Sequence, residues 1–122
     1  MTQPDLTGAS VLVLEDDYYL ATDLEQALRA AGATVVGPFA TEADADRALA
    51  AATPDCAILD VNLGDGPSFA LPDALAARTV PFAFVTGYDR QAIPAVFAGA
   101  ERVEKPVSAA QVVRAVARML GR

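Results

Sequence analysis

Val11-Leu12-Val13-Leu14-Glu15-Asp16-Asp17 joins a short, unbroken apolar run to three successive carboxylates. An apolar run without alternation fits a strand covered on both faces, as in a parallel sheet, rather than a strand with one wet face. The acids mark where that strand leaves the core. Asp17 can cap a following helix by accepting from backbone N–H groups of its first turn. Leu20, Leu24, Ala27, Leu28 and Ala31 then recur at helical spacing, and Gly32 reads as the stop.

The same pairing of strand and helix repeats along the chain. Val35-Val36 lies in a second short strand, ended by Gly37-Pro38. Thr41-Glu42-Ala43-Asp44 resembles a capping box with Asp in place of Glu, and Ala45, Ala48, Leu49 and Ala52 give the next apolar stripe. Thr53-Pro54 stops that helix. Cys56 to Leu59 is a third strand running into Asp60, followed by the polar, glycine-rich loop Asn62-Leu63-Gly64-Asp65-Gly66-Pro67. A third helix is expected from about Ala70 to Arg78, with Pro72 in its first turn. Val80 to Val85 is strand four, and a short, weak helix follows Asp89. Arg102 to Glu104 is strand five. Ser108 caps a last helix with Val112, Val113, Val116 and Leu120 inward. Five alternations predict an α/β fold: a doubly wound parallel sheet with helices on both faces.

Composition bounds what such a domain can do. At 122 residues the chain fits one domain, expected over residues 1–122 with no output domain. Its 53% apolar content excludes a disordered chain. No apolar run approaches the roughly 18 residues that span a membrane. Residues 1–10 lack the basic and apolar regions of a signal peptide, so a cytoplasmic location is expected. The lone cysteine, Cys56, sits in an apolar run and reads as a buried structural thiol. Histidine is absent, which removes His-based triads, most zinc sites and any phosphohistidine on this chain. Nine Lys and Arg against sixteen Asp and Glu leave a net charge of −7, and the basic residues are scattered. Direct nucleic-acid binding is not expected; basic partner surfaces are.

Ligands of a doubly wound sheet bind beyond the carboxyl ends of its strands. Four polar features stand at such ends: Glu15-Asp16-Asp17 after strand one, Asp60 after strand three, Thr86 after strand four and Lys105 after strand five. Packed carboxylates repel one another, and a hard divalent cation with oxygen ligands, Mg²⁺, relieves that repulsion. Lys105 can pair with Asp60 and later with phosphate. Thr86 can donate to a phosphoryl oxygen.

Glu15-Asp16, Asp60, Thr86 and Lys105-Pro106, in this order and spacing, resemble the receiver domains of two-component response regulators over essentially the whole chain. The resemblance implies a flavodoxin-like (βα)5 sheet in strand order 2-1-3-4-5. It implies Asp60 as phosphoacceptor, with Thr86 and Lys105 assisting. Mg²⁺ would be held by Asp16, Asp60 and the backbone carbonyl of Asn62, with Glu15 acting through a coordinated water. The Lys105–Pro106 bond would be cis. The implied partners are a sensor histidine kinase or a histidine phosphotransfer protein.

Pro81-Phe82-Ala83-Phe84-Val85-Thr86-Gly87-Tyr88 narrows the likeness to the Phe-Ala-Thr-Gly-Tyr receivers of alphaproteobacteria, with Val85 in place of the motif's Ala. Members often work with kinases of the HWE and HisKA2 type, including in general stress signalling. A second departure is Arg102, where typical receivers carry Tyr or Phe three residues before the lysine. Burying a guanidinium is costly, so Arg102 reads as an exposed edge-strand residue. Tyr88, joined to Thr86 through Gly87, is then the candidate for the moving ring. Pro94 interrupts the segment from Tyr88 to Gly99, which reads as the signalling element.

Three rival readings share this architecture. A receiver-like module that signals by contact alone would not need the intact acidic cluster and lysine. Phosphatases of the haloacid dehalogenase type resemble Asp-x-Asp, and here the second position is Asn62, which cannot act as an acid. A flavodoxin would want a Ser/Thr-rich loop after strand one, where Glu15-Asp16-Asp17 would repel phosphate instead.

Overall fold

A computed structural model describes residues 4–61, 69–87 and 93–122. Five parallel strands form one sheet: β1 (Ser10–Leu14), β2 (Thr34–Phe39), β3 (Cys56–Asp60), β4 (Phe82–Thr86) and β5 (Glu101–Glu104). Their spatial order is β2-β1-β3-β4-β5, the flavodoxin-like order. Four α-helices join them: α1 (Tyr18–Ala30), α2 (Glu42–Ala51), α3 (Ala70–Ala77) and α4 (Ala109–Met119).

Strand alternation feeds two separate cores. Val11, Val13, Cys56, Ile58, Ala83 and Val85 pack with Leu24 and Leu28 of α1 and Val112, Val113 and Val116 of α4. Leu12, Leu14, Ala57, Leu59, Phe82 and Phe84 pack with Ala45 and Leu49 of α2 and Leu71 and Leu75 of α3. All five residues of β3 and of β4 are buried. That explains their unbroken apolar runs. The expected Cys56 thiol is buried, and burial pushes its pKa up to about 12.

Local signals set the helix ends. Asp17 caps α1, its carboxylate accepting from the backbone N–H of Tyr19 and Leu20. Thr41 caps α2 by accepting from Asp44 N–H. Ser108 and Gln111 close a full capping box on α4. Gly32 ends α1 at φ +103, and a Cβ there would meet Thr7 Oγ1 at 2.6 Å, so the position requires glycine.

One element differs from the sequence expectation. β2 does not stop at Gly37-Pro38 but runs on to Phe39, whose carbonyl accepts from Glu15 N–H at 2.9 Å. The pairing with β1 shifts register between Leu12 and Leu14, Gly37 takes φ +107, and Gly37–Pro38 is cis. An edge strand tolerates proline because its missing donor faces no partner. In the crossover from β4 to β5, the short, weak helix expected after Asp89 falls on residues 88–92, which lie outside the described residues, and the described part holds one 3₁₀ turn, Ala95–Phe97. Pro94 precedes it in an extended conformation, and its ring prevents an α-helix from running through. Phe97 is buried against Phe69, Phe82 and Phe84, with ring centroids 5.7–6.0 Å from it.

Candidate functional site

Glu15, Asp16, Asp60, Thr86 and Lys105 meet at the carboxyl end of the sheet. β1 and β3 are central neighbours paired at Leu14 and Leu59, so the residues that follow them emerge side by side. Glu15, Asp16 and Asp60 each offer a carboxylate oxygen, all within 4.8 Å of one another. Glu15 and Asp60 are buried, while Asp16 is exposed. Thr86 is buried at the end of β4. Its carbonyl accepts from the backbone N–H of Lys105 at 2.8 Å, which fixes β5 beside β4 at the mouth of the site. The Lys105–Pro106 peptide is cis. Lys105 Nζ stands 3.3 Å from Asp60 Oδ2, with the Asp60 side chain 1% exposed and that of Lys105 28% exposed.

The electrostatics centre on Glu15. Burial is the main cause that raises its pKa, to about 8, helped by the neighbouring Asp60 carboxyl. Asp17 N–H, donating to Glu15 Oε2 at 3.0 Å, and the Lys105 ammonium pull it the other way. Glu15 Oε1 is buried and has no donor among the described residues. Glu15 and Asp60 can satisfy each other only by sharing a proton, because two ionised carboxylates are both acceptors. An orphaned buried oxygen beside two further carboxylates suits a hard cation or its coordinated water, and the donor set is all oxygen. Asp16 and Asp60 can hold Mg²⁺ directly and Glu15 can face its water.

Asp17 points away from this work, since its carboxylate is spent on the α1 cap. Arg102 is exposed on β5, as expected for an edge strand. Gly87 lies next to Thr86 and is half-buried. Asn62 and Tyr88 lie outside the described residues. The sequence reading missed two features around the site. One is the four-phenylalanine cluster under the β4–β5 crossover. The alternation of Phe82 and Phe84 put two rings on one face, but nothing local signalled that Phe69 and Phe97 would join them. The other is a cavity of about 470 Å³ beside Glu15 and Asp16, walled by Tyr18, Ala21, Pro38 and Ala40. It depends on the irregular end of β2, which left no periodic trace.

The model of the response regulator receiver domain family matches residues 11–117. The chain belongs to this family. Among solved structures, it is similar to SdrG from Sphingomonas melonis Fr1, at 34% identity and TM-score 0.79, covering 98% of this chain and 99% of that one. It is similar to a putative response regulator from Chloroflexus aurantiacus J-10-fl, at 28% identity and TM-score 0.76, covering 93% of this chain and 98% of that one. The PhyR stress response regulator matches at 27% identity and TM-score 0.76, over 95% of this receiver but only 46% of PhyR. No curated protein matches the sequence of this chain. Receiver domains generally bind Mg²⁺ and interact with kinases or phosphotransfer proteins, and the acidic cluster of this one fits that metal. No helix among the described residues is long and apolar enough to cross a membrane.

Proposed function

We propose that this receiver accepts a phosphoryl group on Asp60 from a phosphorylated histidine of a sensor kinase or of a histidine phosphotransfer protein. The carrying observation is a buried Asp60 carboxylate with Lys105 Nζ at 3.3 Å and two more carboxylates within 4.8 Å. An Asp60 oxygen attacks phosphorus, the P–N bond of the donor breaks, and the histidine ring nitrogen keeps the electron pair. Mg²⁺, when bound, draws charge from the phosphoryl oxygens. Lys105 holds the Asp60 carboxylate in place before transfer and pairs with the phosphoryl group after it. Thr86, at the end of β4, donates its hydroxyl to a phosphoryl oxygen.

The readout in this proposal runs through Thr86 and Gly87 to Tyr88 and the crossover up to Gly99. The exposed Arg102 cannot serve as the inward-moving ring, which supports Tyr88 in that role. The motif around Thr86-Gly87-Tyr88 is the ground for a donor of the HWE or HisKA2 type in this proposal.

Incubation with acetyl phosphate and Mg²⁺, read by intact mass, tests the reading. Wild type gains one phosphoryl group and Asp60→Asn gains none. Equal labelling of the two would move the acceptor elsewhere, and no labelling of wild type would favour a module that signals by contact alone.

A further inference from the structure

α3 begins without a cap of its own. Its N-cap position is Phe69, whose side chain makes no capping hydrogen bond. That ring is committed to the core instead, with its centroid 6.2 Å from that of Phe84 and 6.0 Å from that of Phe97. A capping oxygen accepts from the second or third N–H of a helix. In α3 those positions are Leu71 and Pro72, and proline has no N–H to give. Leu71 N–H is the donor left for a cap to serve, and Leu71 is fully buried. A buried backbone donor without an acceptor is costly, so the start of α3 depends on finding one.

The acceptor comes from another helix. Glu42 Oε1 accepts from Leu71 N–H at 2.9 Å, across 29 positions of sequence. Glu42 lies in the first turn of α2, whose own cap is Thr41. One carboxylate thus stands at the positive ends of two helices, and a charged acceptor makes the stronger hydrogen bond. The far ends of the same two helices are tied as well: Arg78 Nη1 donates to the Leu49 carbonyl at 2.7 Å.

What Glu42 holds is the trailing end of the loop that leaves Asp60. The leading end is fixed at Val61, whose N–H donates to the Val85 carbonyl at 3.1 Å. Between these ends, residues 62–68 lie outside the described residues and include Asn62. We propose that Glu42 is a positioning residue for Mg²⁺-dependent transfer to Asp60: by capping α3 from α2 it fixes the trailing end of this loop and so restricts where the Asn62 carbonyl can stand. A loop held at both ends has less freedom to lose when a cation binds, and affinity rises accordingly. The proposal rests on the receiver reading, from which the Asn62 carbonyl takes its part as a metal ligand.

Mg²⁺ titration and acetyl phosphate labelling of the full chain test it. Glu42→Ala should bind Mg²⁺ about fivefold more weakly, the worth of a helix cap, and label at Asp60 within about twofold of the wild-type rate once Mg²⁺ saturates. Glu42→Gln keeps the acceptor oxygen and loses the charge, so its affinity should stay within about twofold of wild type. Glu42→Asp keeps the charge but falls one methylene short, so it should bind as weakly as Glu42→Ala. Arg78→Ala unties the far ends of α2 and α3; it should lower the melting temperature to a similar degree and leave Mg²⁺ affinity unchanged. Wild-type affinity in Glu42→Ala and Glu42→Asp would reduce Glu42 to a cap and overturn the proposal. Equal loss in Glu42→Gln would assign the effect to charge, and equal loss in Arg78→Ala would assign it to stability; either overturns it. A wild type that binds Mg²⁺ but does not label at Asp60 would overturn the receiver reading, while a loss confined to Glu42→Ala and Glu42→Asp would still keep Glu42 as a positioning residue for the cation. A wild type that does not bind Mg²⁺ would overturn both.

Discussion

The two sides of the crevice around Asp60 are built by different means. Glu15, Asp16 and Asp60 follow β1 and β3, neighbours in the middle of the sheet, whose residues Val11–Leu14 and Cys56–Asp60 are all buried. Each strand there is flanked on both sides by other strands. Thr86 ends the buried strand β4, and Lys105 follows the edge strand β5, which buries only Val103. The described crossover between those two strands is pinned chiefly by one side chain, Phe97. The carboxylates thus sit on a base that a ligand cannot easily shift, while the threonine and lysine stand next to a crossover whose described part has few buried side chains. A switch needs states of similar energy, and sparse apolar anchoring is one way to supply them.

The largest effect should come from cutting that main fastening. Phe97→Ala removes a fully packed ring from among Phe69, Phe82 and Phe84 and should destabilise the protein by about 3–5 kcal/mol in urea unfolding. If the two sides are as separate as their construction implies, the variant that remains folded should keep its Mg²⁺ affinity within about twofold, because β1 and β3 are untouched. An equal loss of metal binding would show that the crossover and the acidic cluster form one unit. Val96, next to Phe97 but 79% exposed, is the control: Val96→Ser should change stability by no more than about 0.5 kcal/mol.

Glu15 sharpens the comparison from the other side. Its pKa stands near 8 in the metal-free fold against an ordinary 4.5, so between those values the folded state binds more protons than the unfolded state. Stability from this group is complete below about pH 4.5 and is lost as pH rises through about 8, at up to about 1.4 kcal/mol per pH unit. Glu15→Gln removes the slope. Metal-free wild type and variant should match near pH 4.5, and the variant should be the more stable at pH 8. Mg²⁺ replaces the shared proton, so wild-type metal binding should tighten between pH 6 and pH 8 and that of Glu15→Gln much less. Parallel stability curves for the two proteins would place the orphaned Oε1 in contact with water instead.

Legibility in the sequence follows the same division. β1, β3 and β4 are buried on both faces and wrote that fact as unbroken apolar runs, so the sheet, its parallel character and the strand ends were readable. The acids and the lysine were readable because strand ends are where such a fold can afford charge. Caps were readable where a side chain acts on its own neighbours, as with Asp17, Thr41 and Ser108. What escaped depends on contacts between distant residues. Pro38 looks like a strand breaker until β2 is known to be an edge. Phe69 and Phe97, 28 positions apart, form a stack that no local pattern announces. Pro94 did signal a weak crossover, yet it could not say that the described part would keep only one 3₁₀ turn.

The smallest expected effect separates two adjacent carboxylates that the sequence alone treats as alike. Asp16 and Asp17 are both exposed acids at the end of β1. Asp16 brings an oxygen within 4.8 Å of those of Glu15 and Asp60, whereas Asp17 accepts from Tyr19 N–H at 3.0 Å and Leu20 N–H at 3.2 Å. Removing a directly coordinating carboxylate should weaken Mg²⁺ binding about tenfold or more, so Asp16→Ala should show its loss in a metal titration and leave thermal stability in chelator nearly unchanged. Removing a helix cap costs about 1 kcal/mol, so Asp17→Ala should show the reverse: a melting temperature lower by a few degrees and a metal affinity within about threefold of wild type. Asp17 also donates its own backbone N–H to Glu15 Oε2, and alanine keeps that bond. Asp17→Pro deletes this donor as well as the cap and should therefore disturb both measurements together. If Asp17→Ala loses as much metal affinity as Asp16→Ala, the cap and the metal cluster are one structure, and the division between a fixed acidic side and a sparsely fastened side begins at α1 rather than at β4.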